Sequence, residues 1–325
     1  TAAAQAPAQA AAQAAPQPAK PAAASSTASD KPGRHLIGTL EGPEVLADAR
    51  RPAKLAEAPM LAELVKAGKL PPVEQRIPEE PLVLQPLRAI GKYGGTWRRG
   101  FTGPADGENF NRVMGSEKPL HVDYTGYKIV PAVAKSWDLR DGSKTIRLSL
   151  RKGMKWSDGE PFTADDWVFW YEDMYQNKEL NPTPVSTMAV NGKQGVLEKV
   201  DQYTVRFKFE DPYYLLPEFL SVSTSISGQA TQGLYSWGGY APKHYLMKFH
   251  PKYTPKEQVD KQATDAGFDN WVTYYNKQLN DWSRNPDLPV VSPWKTVTPC
   301  TTPTWTFERN PYSIWVDTDG NQLPY

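Results

Sequence analysis

Four histidines, one cysteine and a few carboxylate pairs are the residues here that could do chemistry. His35, His121, His244 and His250 are scattered. None sits in the H-E-x-x-H spacing that puts two imidazoles on one helix face around zinc. Cys300 stands alone, which leaves no internal disulfide and no multi-cysteine metal site. Asp165-Asp166 and Glu172-Asp173 could be drawn as acid and base. Their spacing instead predicts the solvated side of a helix whose other side is aromatic. Gly94-Gly95 and Gly238-Gly239 lack the Lys-Ser/Thr ending of a phosphate loop and read as turns. Asp317-Thr318-Asp319-Gly320-Asn321 resembles a calcium loop, but its glycine falls at the fourth position, not the sixth, so a plain turn is expected. No G-x-S-x-G elbow occurs. The expectation is therefore no enzyme, no metal and no cofactor.

What the residue types do offer is aromatic surface. The chain has 11 Trp and 16 Tyr. Trp237 before Gly238-Gly239, Trp294 after Pro293, and Trp305 fall in Gly- and Pro-rich stretches. Flat side chains in loops can floor a ligand cleft, though for any single one of them a packing role is the leading reading.

The elements that must carry these residues follow from patterning. Fifteen of the first thirty residues are Ala, mixed with Gln, Pro and Ser, so residues 1–33 are expected to be a disordered tether. Tyr93 is the first aromatic residue, which makes 34–92 an approach segment and 93–325 the aromatic-cored body. Within the approach, Pro59 opens and Gly68 closes a short helix, and Leu82 to Leu84 can form a strand. Residues 96–99 read as a strand leaving Gly94-Gly95. A hairpin is expected from Trp137 to Leu150, turning at Asp141-Gly142, with Ile146, Leu148 and Leu150 on one face. Thr163 can cap a helix with Asp166 in a capping box. Trp167, Trp170, Tyr171 and Met174 then follow at i, i+3, i+4 and i+7, the spacing of one buried face. Val205, Phe207 and Phe209 alternate as a strand. Residues 240–250 and 269–279 read as helices, and 304–309 as a strand. The mixture is α/β.

Bulk properties exclude some classes. Lys plus Arg is 37 against 36 for Asp plus Glu, a net charge of +1, which gives no electrostatic attraction to nucleic acid or acidic membranes. Mean hydropathy is −0.59, and no apolar run approaches the roughly 20 residues that span a bilayer. The chain begins at Thr1, consistent with a removed leader or a fragment.

The run Leu150-Arg151-Lys152-Gly153-Met154-Lys155-Trp156-Ser157-Asp158-Gly159-Glu160-Pro161-Phe162-Thr163-Ala164-Asp165-Asp166 resembles the signature of the extracellular solute-binding protein family 5, the peptide-binding components of bacterial ABC importers. Ile129-Val130-Pro131-Ala132-Val133-Ala134-Lys135-Ser136-Trp137, Val200-Asp201-Gln202-Tyr203-Thr204-Val205-Arg206-Phe207, Tyr240-Ala241-Pro242-Lys243-His244-Tyr245-Leu246 and Glu308-Arg309-Asn310-Pro311-Tyr312 agree in order. The resemblance covers roughly 55–325. It implies a two-lobed periplasmic binding protein-like fold (type II, cluster C) that closes on ligand. The chain would supply mainly the first lobe, with the second lobe and the returning C-terminal segment absent. It also implies that Arg99-Gly100-Phe101-Thr102 borders the cleft, where an extended peptide can add as a strand. The expected ligand-binding set is thus Arg99, Gly100, Phe101, Thr102, Trp237, Trp294 and Trp305. Expected partners are a peptide or oligosaccharide and the ABC permease subunits. The protein would be a monomer in the periplasm, or at the membrane's outer face if a lipid anchor precedes Thr1. Two readings from other classes are a carbohydrate-active enzyme or binding module, and a structural or chaperone-like envelope protein.

Overall fold

The computed structural model describes residues 41–106, 117–183, 185–222, 224–230 and 238–325. The expected tether at 1–33, together with His35 and Trp237, lies outside these residues.

The largest sheet is antiparallel, in the order β5-β6-β10-β9. β5 (Ala134–Arg140) and β6 (Thr145–Leu150) form the expected hairpin. Its turn carries three consecutive positive φ angles, Asp141 at 52°, Gly142 at 62° and Ser143 at 67°, a conformation that Asp-Gly tolerates. β10 (Thr204–Lys208) sets Val205 opposite Leu148 and Phe207 opposite Ile146, and all four side chains are buried. β9 (Val196–Asp201) adds Leu197 opposite Phe207. Period-2 alternation thus gathers one apolar face.

The helix Ala164–Phe169 covers that face. It begins as expected: Thr163 Oγ1 accepts from the Asp165 N–H at 3.2 Å, and Asp166 Oδ2 accepts from the Thr163 N–H at 2.9 Å. Together these satisfy donors that a helix start leaves open. Trp167, Trp170, Tyr171 and Met174 are buried, as their spacing predicts. The helix then widens into a π-helical stretch, Trp170–Tyr175. Both acidic pairs need correction here. Asp166 and Asp173 are buried, and neither pair lies wholly on a solvated face. Asp166 is drawn in by its cap and by the Lys243 N–H it also accepts. Asp173 is covered by the turn at 250–253, whose Lys252 and Tyr253 bond its carboxylate.

A second sheet runs β1-β2-β13. β2 (Leu82–Gln85) pairs antiparallel with β1 (Glu44–Val45) and parallel with β13 (Trp315–Asp317). Val83 and Val316 meet Val73 and Ile77 in a small core. The helix Pro59–Lys66 lies between these strands in sequence and ends before Gly68, at φ 69°. Three two-stranded units remain: β3 (Leu120–Val122) with β4 (Ile129–Pro131), β7 (Ala189–Val190) with β8 (Lys193–Gln194), and β11 (Trp294–Thr298) with β12 (Thr306–Arg309).

One expected strand is absent. Residues 96–99 form no ladder, and Trp97 is 69% exposed. A strand is held by its neighbour's hydrogen bonds, and no described strand pairs with this segment. Trp294 also differs from expectation, since it opens β11 and is not a loop residue.

Candidate functional site

The segment 91–103 is irregular and is held at two points. At one, the Tyr93 hydroxyl donates to the Gln322 carbonyl at 2.9 Å and its ring lies 5.7 Å from that of Tyr325. At the other, Phe101 sets its ring edge-on to Trp305, with centroids 6.0 Å apart and planes at 68°. Between these anchors Arg99 and Gly100 are exposed, and the Arg99 guanidinium lies 5.6 Å from the centre of the Trp97 ring. Gly103 has φ 123° with open space where a side chain would stand. That conformation lets the chain turn so that the Thr102 N–H donates to Asp106 Oδ2 at 3.1 Å.

Trp305, directly before β12, is buried beneath Phe101. It stacks on Trp282 at 5.5 Å and 24°, and packs against Phe307 at 4.9 Å with the rings tilted by 45°. Cys300 completes this cluster, with its N–H bonded to the Ser283 carbonyl at 2.8 Å. Trp294 stands further along the hairpin. It pairs with Arg309, and Thr296 pairs with Phe307. Opposed residues of an antiparallel ladder share a face, so Trp294, Thr296, Phe307 and Arg309 lie on one side of the hairpin. The Arg309 guanidinium sits 5.5 Å from the centre of the Trp294 ring, and its Nε donates to the Pro324 carbonyl at 3.0 Å.

The structure therefore brings Phe101 and Trp305 into contact and puts Trp294 on the hairpin that Trp305 leads into. Arg99, Gly100 and Thr102 form the exposed rim. Trp282 and Phe307 were missed by sequence reasoning. Phe307 was accessible to it, two residues after Trp305 in an alternating strand. Trp282 has no local signal, because it arrives from a distant turn.

Chemically, this arrangement presents an aromatic edge, guanidinium donors and an exposed backbone. Groups of this kind can hold and orient a solute. Among the described residues no group of three or more His, Cys, Asp or Glu could hold a metal ion. Asp317 Oδ1 accepts from the N–H groups of Asp319 and Asn321 at 2.9 Å each, so that acidic stretch is a turn. His244 bonds Asp158 at 2.8 Å, which holds the Asp158 carboxyl below its ordinary range despite burial. His121 Nε2 lies 3.6 Å from Glu117. Asp166 is pushed up to about 6 by burial, which outweighs the hydrogen bonds it accepts. These carboxylates serve caps and local pairs.

Comparison with known proteins completes the picture. The family model "Bacterial extracellular solute-binding proteins, family 5 Middle" matches residues 128–325. The periplasmic alpha-galactoside-binding protein of Rhizobium meliloti is 31% identical over 284 residues, covering 81% of this chain and 37% of that protein. Among solved structures, an oligopeptide-binding protein OppA superposes with a TM-score of 0.76 at 41% identity, over 86% of this chain and 41% of the other. The periplasmic binding protein MelB of Agrobacterium fabrum, solved with stachyose, gives a TM-score of 0.60 at 26% identity, over 87% and 41%. The fold is thus that of the periplasmic binding proteins, and the chain spans about two-fifths of the length of these relatives.

Proposed function

The chain belongs to the bacterial extracellular solute-binding proteins, family 5, and on that premise we propose that it serves an ABC importer by capturing an oligomeric solute in the periplasm. The observation that carries this reading is the family match across 198 consecutive residues, 128–325, joined to 31% identity with a solute-binding relative over 284 residues. It acts by binding and not by catalysis. The exposed rim Arg99, Gly100 and Thr102, with the half-buried Phe101 among them, meets the ligand. Phe101 is stiffened from below by Trp305, and Trp294 extends the aromatic surface. Residues 1–33 act as a tether to the membrane side, residues 93–325 contribute a lobe of the binding fold, and the permease subunits receive the loaded protein.

The solute is a peptide or an oligosaccharide. The relative of highest structural overlap reported above is named for oligopeptides, which favours the first. An alpha-galactoside-binding relative and a stachyose complex favour the second. A thermal-shift screen of the chain against di-, tri- and oligopeptides, raffinose and stachyose tests this function. A rise in Tm with one of these classes is expected, because a ligand that binds only the folded state stabilises it by mass action. A flat response to every member at millimolar concentration counts against it.

A further inference from the structure

His250 occupies a place that the ligand-binding reading does not use. It is 4% exposed and lies within an aromatic cage. Trp271 is 5.5 Å away, Tyr253 5.9 Å, Tyr275 6.2 Å and Phe169 6.4 Å, centroid to centroid. Both ring nitrogens are committed. Nε2 lies 3.0 Å from the Asp173 carbonyl and 3.2 Å from Asn177 Nδ2; the carbonyl can only accept, so Nε2 carries the proton and donates to it. Nδ1 lies 3.1 Å from the Lys252 backbone nitrogen, so it must be bare and accept. Only the neutral Nε2–H tautomer satisfies both contacts.

The two contacts join different parts of the chain. Asp173 belongs to the π-helical stretch over the main sheet, whereas Lys252 begins the turn leading to the helices Lys256–Asp265 and Trp271–Tyr274. Further bonds cross at the same place. Lys252 Nζ and the Tyr253 hydroxyl both reach the Asp173 carboxylate, and the Trp271 indole N–H donates to Glu179 Oε2 at 3.1 Å.

We propose that His250 is a proton-operated latch. Neutral, it fastens residues 252–279 to the helical layer 164–175; protonated, it releases them while the main sheet stays folded. A proton on Nδ1 would point at the Lys252 N–H, turning an acceptor into a second donor. The imidazolium would also be a charge inside an aromatic cage.

The titratable and charged groups facing the ring are Asp173 and Glu179 from the helical layer and its following turn, Lys252 and Tyr253 from the next turn, and Tyr275 from the later helix. Asp173 and Glu179 favour the proton and Lys252 opposes it. Burial is the largest influence and holds the imidazole below its ordinary value. The neutral, latched form is therefore complete above about pH 6.5, and latching is lost as pH falls through the lowered folded value. Asp166, lifted by burial, works in the opposite sense on global stability, so the readout must be local.

Hydrogen exchange on the full chain at about pH 7.5 and about pH 5, corrected for intrinsic rates, provides that readout. Protection across 252–279 is expected to fall about tenfold or more at the lower pH, while β6 and β10 change less than about twofold. His250→Asn keeps an acceptor for the Lys252 N–H but cannot titrate, and it should abolish the selective loss. Wild-type protection that falls equally in β6 and β10, or equal loss in the variant, overturns the latch. If the variant does not fold, imidazole nitrogen shifts of the wild type decide. Segment opening with the midpoint of His250 titration supports the proposal, and opening while His250 is still neutral refutes it.

Discussion

Trp167 carries much of the packing that makes the main sheet and its helix one core. It is fully buried, with Phe207 at 6.4 Å and Tyr240 at 5.2 Å. Its ring also fills the space over Gly239, where an added Cβ would come within 3.3 Å. Its indole N–H has no hydrogen-bond partner among the described residues. Two substitutions separate these features. Trp167→Ala removes roughly 150–250 Å² of buried aromatic surface and leaves a cavity, a loss of about 3–5 kcal/mol. For a folded unit of roughly 280 residues, that lowers Tm by about 5–8 °C. Trp167→Phe also leaves a gap but no longer buries an unpaired donor, which by itself costs about 1–3 kcal/mol. The phenylalanine variant is therefore expected within about 1–2 kcal/mol of wild type. Urea unfolding followed by circular dichroism measures both. A Trp167→Ala protein within about 1 kcal/mol of wild type would refute the claim that this side chain holds sheet and helix together.

Two further perturbations follow from buried charges. Arg76 is fully buried and donates to the carbonyls of Pro71 and Pro311, to Gln322 and to Glu57, tying the N-terminal segment to the end of the chain. Arg76→Met should cost about 3–5 kcal/mol by stranding Glu57, and adding Glu57→Gln should recover part of it in denaturant unfolding. Asp166, lifted to about 6 from an ordinary 3.8, binds more protons folded than unfolded between those values. Its contribution is complete below about pH 4 and is lost as pH rises through about 6. Measured against wild type, Asp166→Asn should therefore gain stability from about pH 4 to about pH 7, by up to ~3 kcal/mol. A pH-independent difference between the two proteins would be the contrary result.

Where local chemistry decides the outcome, the fold was legible from residues alone. Asp141-Gly142 marked the hairpin turn, Thr163 and Asp166 marked a helix start, and Trp167, Trp170, Tyr171 and Met174 marked a buried face. Each depends on residues a few positions apart. Residues 96–99 have strand composition, but a ladder requires a distant neighbour, and composition cannot supply one. The burial of Asp173 is not written in local spacing, because the Lys252 and Tyr253 that cover it arrive from about 80 positions away. At the candidate site Phe101 and Trp305 could be named separately. Their contact joins residues roughly 200 positions apart, and the Trp282 stack beneath them comes from a separate turn about 20 positions before Trp305.

Titration of the isotopically labelled chain with peptides and α-galactosides, followed residue by residue by NMR, tests the solute-binding assignment most directly. One class is expected to shift the amides of Arg99, Gly100, Phe101 and Thr102. Phe101→Ala is expected to weaken that binding about tenfold, a change of about 1.4 kcal/mol, without lowering Tm by more than about 3 °C. The absence of any shift up to ~10 mM of either class, or shifts confined to residues remote from 99–102, would contradict it.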